Sequence, residues 1–243
     1  MTVEKTRPAR GGRAGAAESA ARALPAVWRL DLADPAWDVP AAAALLSAEE
    51  RARAEAGTPA VERRRVLLRA ALRVLLGRAL GTAPDRVPLE VVDGRPEVRG
   101  RWRCRVQVSC SASDGVGLVA LHRSAPVGVD VERHSDEAAR QAAEEGWLAP
   151  PEREALARLP EAERWPAVTR CWTQKEAVLK GLGLGLRCPP ASVVTPVSAH
   201  GRAGGWSLAP VAVPAGLVAT LALRSPVPVP PFAVRDLPAG VLR

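Results

Sequence analysis

The chain has 243 residues, of which 47% are hydrophobic, so it is long enough to bury one large core or two smaller ones. It contains no run of about 20 apolar residues that could span a membrane and no apolar segment typical of a secretion signal. We therefore expect a cytoplasmic protein with no membrane partner. Four cysteines without a C-x-x-C pair, and three histidines that do not cluster with them, argue against a zinc site or a disulfide framework.

The excess of basic residues, 34 against 26 acidic ones, gives a formal net charge of +8. This charge favours an anionic partner, which could be a nucleic acid, a phosphorylated ligand or an acidic protein. The chain has one Phe and no Tyr, so the stacking aromatics of single-strand binders are scarce.

The N-terminal residues 1–24 are rich in Gly, Ala and Arg without a periodic apolar face, which predicts a disordered basic tail. A strand follows in "AVWRLDL", where polar and apolar residues alternate from Ala26. Ser47 and Glu50 have the spacing of a capping box and predict the start of a helix. Residues 61–81 then predict a longer helix with leucines on one side and arginines four residues apart on another.

Two hairpins are predicted next. The segment 87–98 has a turn signal at Asp93 and Gly94, and the segment 101–122 has another near Asp114. In the second hairpin, arginines alternate with Trp, Cys and Val from residue 101 onward, which predicts that the strand begins there. The strand "VGVDVE" follows.

The remaining sequence predicts helices, two further strands and a proline-rich C-terminal tail over residues 226–243. Residues 25–125 and 126–225 each pass from a strand through helices to closing strands. We therefore expect an α+β protein made of two similar halves.

The first motif with chemical content is "GVDVE", which places Asp130 and Glu132 on the same face of a strand. Val129 and Val131 point the other way, toward a core. Paired carboxylates repel each other unless a cation lies between them, and Mg²⁺ prefers such oxygen ligands. The alternative is an exposed edge strand with two solvated acids, and the stretch by itself favours that alternative.

The second motif is "WTQKEAVLK", in which Glu176 and Lys180 lie one helical turn apart. A surface salt bridge would explain this spacing, but Trp172 shares the same face and favours its burial. Glycines 181, 183 and 185 follow the helix, so they do not form the phosphate site that precedes a helix N-terminus.

Together, the two motifs resemble the signatures of the Sfp-type 4′-phosphopantetheinyl transferases, G-x-D-x-E followed by W-[ST]-x-K-E-[AS]-x-x-K. Every fixed position matches. "GRP" at residues 94–96 is similar to the family's G-K-P turn, and the resemblance covers residues 25–224. It implies a pseudo-dimer of two α/β halves, the first binding coenzyme A and the second metal-binding and catalytic, with the active site in the cleft between them.

The resemblance also implies the reaction. Such an enzyme transfers the 4′-phosphopantetheine arm of coenzyme A, its cosubstrate, to a serine of an acyl or peptidyl carrier protein and releases 3′,5′-ADP. Fatty acid, polyketide and nonribosomal peptide synthesis use such carriers. Mg²⁺ is the expected metal, Mn²⁺ is an alternative, and we expect a monomer.

Residue by residue, the resemblance assigns Asp130, Glu132 and Glu176 to the metal. Glu176 is also the candidate general base, acting directly or through a metal-bound water, and Lys180 is the catalytic residue beside the phosphates. Asp130, Lys180 and a second cation, Lys175, are expected to contact coenzyme A.

The 3′-phosphate end of coenzyme A would lie near the family's S-H-S motif. The best gapless match is residues 111–113, so that Ser111 and Ala112 would contact the cofactor; a two-residue shift gives residues 109–111 instead. Neither alignment supplies the histidine.

Arginines are the expected substitutes for that contact. Arg95 replaces the lysine of G-K-P and could bind phosphate through two N–H groups. Arg64 or Arg65 could reach the same region, although a solvated helix face explains this pair equally well.

Two other classes of protein remain as alternatives. A basic nucleic-acid-binding protein would explain the charge but not the paired motifs. A partner-binding protein descended from the enzyme would explain the missing histidine, but the intact acids argue against it. For the transferase, a basic surface would attract an acidic carrier protein.

Overall fold

The computed structural model describes residues 24–92, 95–103, 105–123, 125–183 and 187–242. Most of the predicted N-terminal tail and the turn at residues 93–94 lie outside this part of the chain. Within it, helices and antiparallel sheets combine in an α+β fold, which confirms the predicted class. No helix among these residues is long and apolar enough to cross a membrane.

Among the described residues, the first unit contains five strands and three helices. They are β1 (Ala26–Asp31), α1 (Val39–Ala44), α2 (Ala48–Glu55), α3 (Pro59–Leu80), β2 (Leu89–Val92), β3 (Arg95–Val98), β4 (Gln107–Ser113) and β5 (Val116–His122). Strands β2 and β3 form a separate hairpin, while β1, β5 and β4 are antiparallel neighbours in one sheet.

The structure contains the helix start and the helix end that the sequence predicts in this unit. Ser47 Oγ accepts a hydrogen bond from the Glu50 amide at 3.2 Å, and the Glu50 carboxylate accepts one from the Ser47 amide at 2.8 Å, which completes the capping box of α2. Helix α3 ends at Gly81, whose φ of 66° is a left-handed cap. The leucine face of α3, which includes Leu67, Leu72 and Leu76, is buried in the hydrophobic core of the first unit. We refer to this cluster as the first core.

In residues 125–183 and 187–224, the second unit contains three helices and four strands. They are β6 (Val127–Arg133), α4 (Asp136–Glu144), α5 (Pro150–Ala157), α6 (Glu161–Leu182), β7 (Gly201–Ala203), β8 (Trp206–Pro210) and β9 (Leu217–Arg224). The sheet order is β6-β9-β8-β7, so β6 lies at its edge. The predicted similarity of the two halves as a pseudo-dimer stays a prediction.

Two glycines let helix α6 lie directly on strand β6. A Cβ at Gly128 would collide with the carbonyl oxygen of Ala177, and a Cβ at Gly181 would collide with the Trp206 ring. Because both positions lack a side chain, the backbones approach closely. This contact fixes the position of Asp130 on β6 relative to Lys180 on α6.

Serines of β4 join the two units along strand β6. Ser109 Oγ accepts a hydrogen bond from the Val129 amide at 3.1 Å, and Ser113 Oγ accepts one from the Arg133 amide at 3.2 Å. An edge strand otherwise leaves its outward amides without partners. The serine hydroxyls satisfy them, so β4 and β6 lie side by side.

The C-terminal segment differs from the predicted tail. Strand β10 (Val234–Asp236) pairs in parallel with β1, and Leu237, Ala239 and Leu242 are buried in the first core. The prolines keep residues 225–233 out of the sheets, but the strand forms once they end.

The predicted start of the second hairpin is also wrong. Residues Gly100–Trp102 form a 3₁₀ turn and β4 begins only at Gln107.

Candidate active site

Asp130 lies at the centre of the site, between the two units. It is buried on β6, and its Oδ1 accepts hydrogen bonds from Ser111 Oγ at 2.9 Å and from Lys180 Nζ at 2.5 Å. Its Oδ2 is buried and has no hydrogen-bond partner among the described residues. A buried carboxylate oxygen without a partner is costly, so Oδ2 is suited to receive a cation or a donor from a ligand.

Lys180 provides the positive charge of the site. Besides Asp130, its Nζ donates to Ser111 Oγ at 2.9 Å. Burial opposes the charged form, but the attraction of Asp130 outweighs it, and the pKa of Lys180 is raised. An ammonium group has three N–H donors. Because two are used and the side chain is 29% exposed, one donor remains for a ligand.

Glu132 and Glu176 flank this pair and are both half-buried. Burial raises the pKa of each carboxyl group, and the negative charge of Asp130 raises it further, while Lys180 acts in the opposite direction. The Trp172 side chain lies close enough to Glu132 to oppose this rise in its pKa. The site therefore combines three carboxyl groups with one lysine, an excess of negative charge that favours binding of a cation.

These carboxyl groups fit a divalent metal by their chemistry. In the described part of the chain, no three acidic, His or Cys side chains are arranged closely enough to enclose an ion. Asp130 Oδ2 is nevertheless a free oxygen ligand, and Glu132 and Glu176 add oxygens of the kind that Mg²⁺ prefers. An open site of this type leaves positions for phosphate oxygens and water.

Lys175 does not belong to this site, and its predicted contact with coenzyme A is wrong. Its fully buried Nζ lies 2.8 Å from Glu152 Oε2 and donates to the carbonyl oxygens of Val193 at 2.5 Å and Pro190 at 3.0 Å. Consecutive helical residues point about 100° apart, so Lys175 faces away from Glu176. It holds α6 to the α5 helix and the loop at residues 190–193.

Arg95 links the first unit to the end of α6. Its Nη1 donates to the Gly181 carbonyl at 3.3 Å and its Nη2 to the Val108 carbonyl at 3.4 Å, while its Nε is buried without a hydrogen-bond partner among the described residues. Burial lowers the pKa of this arginine. Arg95 therefore contacts the backbone of Gly181, the residue that follows Lys180 in the sequence.

Comparisons with known proteins agree with these motifs. The model of the 4′-phosphopantetheinyl transferase superfamily matches residues 126–202. The chain is 31% identical over 163 residues to the 4′-phosphopantetheinyl transferase HetI of Nostoc sp., a match that covers 66% of this chain and 69% of HetI. The chain belongs to the 4′-phosphopantetheinyl transferase superfamily.

A second relative, from Synechocystis sp., carries a provisional 4′-phosphopantetheinyl transferase name. It is 32% identical over 150 residues. That match spans 61% of each of the two chains, so it covers less than two thirds of the relative's length.

The chain has a basic cavity of about 540 Å³ beside helices α2 and α3. Its lining includes three arginines, Arg53, Arg65 and Arg69, together with Cys110 and one acid, Glu50, whose Oε1 lies 3.7 Å from Arg69 Nε. Arg65 donates to the Arg53 carbonyl at 2.7 Å. Arg64 and Arg65 are both exposed, but of these two predicted arginines only Arg65 lines this cavity.

Sequence reasoning missed Arg53 and Arg69 as candidate ligand contacts. The four-residue spacing of Arg65 and Arg69 on α3 was a usable signal, because it places both side chains on one face. Arg53 comes from a different helix, and only the packing of α2 against α3 brings it to the same cavity.

The structure distinguishes the two alignments of the S-H-S motif. Side chains alternate along β4, so Cys110 and Ala112 share a face while Ser111 points toward Asp130. Both Cys110 and Ala112 pack against the first core, but only Cys110 also lines the basic cavity. Residues 109–111 therefore fit the motif better, while the contact of Ala112 with coenzyme A stays a prediction.

Cys110 also lies close to Lys180. Burial raises the pKa of its thiol, and the positive charges of Arg69, Lys180 and Arg95 oppose that shift. These charges surround the thiol, so the basic cavity is adjacent to the Asp130 and Lys180 pair.

A second cavity, of about 210 Å³, borders the other side of the site. Glu132 and Trp172 line it together with the mostly apolar side chains of Trp147, Ala139 and Val168. The Trp147 and Trp172 rings meet edge to face, with centroids 5.0 Å apart. This cavity depends on the packing of α4 against α6, which sequence reasoning did not predict.

Proposed function

We propose that this chain transfers the 4′-phosphopantetheine arm of coenzyme A to a serine of an acyl or peptidyl carrier protein, with Mg²⁺ and release of 3′,5′-ADP. The observation that carries the proposal is the buried pair of Asp130 and Lys180, flanked by Glu132 and Glu176. A pyrophosphate is the chemical group that such a mixture of carboxylates, metal and ammonium can bind.

The two cavities support coenzyme A as the ligand. Its pyrophosphate separates a charged 3′-phosphoadenosine end from a longer, mostly uncharged pantetheine arm. The basic cavity with Arg53, Arg65 and Arg69 has the charge to bind the phosphate end. The largely apolar cavity beside Glu132 could receive the arm. The carboxylates lie between the two, where the pyrophosphate would be.

The metal would be held by Asp130 Oδ2, Glu132 and Glu176. When bound, Mg²⁺ would supply charge stabilisation to the pyrophosphate oxygens. Mn²⁺ has similar oxygen preferences and is an alternative.

Glu176 and Lys180 are the candidates for proton transfer and charge stabilisation. The serine hydroxyl of the carrier attacks the β-phosphorus of coenzyme A, and Glu176 accepts its proton directly or through a water. A bond forms between the serine oxygen and phosphorus, and the bond to the oxygen of the leaving 3′,5′-ADP breaks. The free N–H donor of Lys180 stabilises the charge on that leaving oxygen.

Mass spectrometry of an apo carrier protein tests this proposal. Incubation with the enzyme, coenzyme A and Mg²⁺ should add one phosphopantetheine group to the carrier and produce one equivalent of 3′,5′-ADP. The Glu176→Gln variant is the matched control because it keeps the shape of the side chain. An unchanged carrier mass, together with salt-sensitive DNA binding and no affinity for coenzyme A, would instead support the nucleic-acid-binding alternative.

A further inference from the structure

The connection between β3 and β4 carries a dense group of exposed arginines. Arg99 pairs with Glu90 at 2.8 Å and lies 3.9 Å from Glu97. Arg101, Arg103 and Arg105 are exposed and form no ion pair with any residue that the structure describes. Three like charges so close together repel one another, so a negatively charged partner would stabilise them.

Trp102 organises two of these side chains. Its half-buried ring packs against the first core, which anchors it. The guanidinium of Arg101 lies 4.6 Å from the ring centroid and that of Arg105 lies 5.3 Å from it. Cation–π contacts of this kind restrict the two side chains and keep their charge at the surface. We refer to Arg101, Trp102, Arg103 and Arg105 as the arginine turn.

The arginine turn borders the active site. Arg103 lines a cavity of about 210 Å³ together with Arg95 and Gln107. Arg95 in turn donates to the Gly181 carbonyl, next to Lys180. Strand β4, which follows the turn, carries Ser111 in contact with Asp130. A protein bound at the turn would therefore lie near the reacting groups.

We propose that the arginine turn is the docking surface for an acidic segment of the carrier protein, next to its acceptor serine. The inference rests on the proposed function and adds the location of the partner's binding site. An acidic protein surface fits better than single-stranded nucleic acid, because guanidinium groups already occupy the Trp102 ring that a base would need for stacking.

The test is a triple variant, Arg101→Glu, Arg103→Glu and Arg105→Glu, assayed for transfer to an acidic apo carrier protein. Rim charges act mainly on encounter and on salt dependence. We expect the KM for the carrier to rise roughly tenfold or more, with a weaker dependence on salt. The kcat and the KM for coenzyme A should stay within about twofold of wild type, because these side chains do not line the cofactor cavity.

The matched control is Arg78→Glu, Arg86→Glu and Arg235→Glu, which changes the same net charge at other exposed positions. Equal effects of both triple variants would overturn the proposal, because net charge alone would then explain them. A triple variant with Gln at residues 101, 103 and 105 should raise the carrier KM by a smaller factor and guards against a folding defect of the Glu variant.

The remaining outcomes separate this inference from the proposed function. Normal carrier kinetics in both the Glu and the Gln variants, with an active wild-type enzyme, would overturn the docking surface and leave the transferase intact. If the wild-type chain binds single-stranded RNA and the Glu variant loses that binding without any change in the KM for the carrier, the docking surface would likewise be overturned. A wild-type protein that neither binds coenzyme A nor modifies the carrier would overturn both proposals.

Discussion

Lys180 Nζ and Asp130 Oδ1 lie 2.5 Å apart, although the two residues are separated by 50 positions in the chain. This ion pair joins a strand to a helix and leaves Asp130 Oδ2 free. One oxygen of Asp130 is thus committed to the protein, while the other is available to a ligand.

Replacing Lys180 by Met should strongly reduce transfer, and it should also lower the free energy of unfolding because the buried Asp130 carboxylate loses its cation. The variant removes the N–H donor that we assign to the leaving phosphate, so kcat should fall roughly 100-fold or more. Circular dichroism would establish that the fold is kept, and single-turnover transfer would measure the chemical step. Turnover within about threefold of wild type would contradict the assigned role.

Magnesium should stabilise the protein more as the pH rises. Burial and then the charge of Asp130 raise the pKa of Glu132 and Glu176, so folding favours their protonated forms when no metal is bound. Their contribution to stability is present below the unfolded pKa and is lost as pH rises through the folded pKa. Because Mg²⁺ binds the ionised forms, the Mg²⁺-induced increase in Tm should grow over that same pH range.

Thermal melts with and without Mg²⁺ across that range would measure this difference. The double variant Glu132→Gln and Glu176→Gln is the control and should lose most of the pH dependence. A Mg²⁺ effect that is equal at all pH values would show that these carboxyl groups do not bind the metal.

The Lys175→Met substitution should affect stability and not cofactor binding. It leaves the buried Glu152 carboxylate without its cation, which typically costs about 3–5 kcal/mol. Denaturant unfolding should show this loss, while the Kd for coenzyme A of the folded fraction should be nearly unchanged. A higher Kd for coenzyme A together with an unchanged free energy of unfolding would show that Lys175 does contribute to the cofactor site.

Histidine substitutions on β4 should separate the two alignments of the S-H-S motif. Cys110→His adds a donor at the basic cavity and should tighten binding of coenzyme A relative to 3′-dephospho-coenzyme A. Ala112→His places a larger polar group against the first core and should destabilise the protein without tightening binding. Calorimetric titration of both ligands with both variants would decide, and the reverse pattern would restore the original alignment.

A methyl group at Gly128 should disrupt the active site from a distance. In the Gly128→Ala variant, the new Cβ would meet the Ala177 carbonyl, so helix α6 would have to move away from β6. We expect lower stability and reduced kcat, with Ala substitution at the open Gly205 as the control. Wild-type activity in Gly128→Ala would mean that the close contact is not needed.

Much of the fold was predictable because its signals are local. The capping box of Ser47 and Glu50, the alternation in β6 and the glycine stop after α3 each depend on a few neighbouring residues. The face shared by Asp130 and Glu132 follows from the two-residue period of a strand.

The errors concern contacts between distant segments. Nothing near Lys175 in the sequence indicates that Glu152 will be its partner, 23 residues earlier and on another helix. Similarly, the alternation of arginines from residue 101 is typical of a strand, but Gly100 has a φ of 65° and a 3₁₀ turn forms instead. Arg53 and Cys110 line the same cavity only because tertiary packing brings α2 and β4 together.

The position of β10 has a consequence for how the protein is made. Synthesis on the ribosome proceeds from the N-terminus, yet the first sheet gains its outermost strand from residues 234–236. The first unit is therefore incomplete until residues 234–242 have emerged. Premature termination shortly before residue 234 would expose the edge of β1 and remove Leu237 and Leu242 from the first core, leaving a truncated product prone to aggregation.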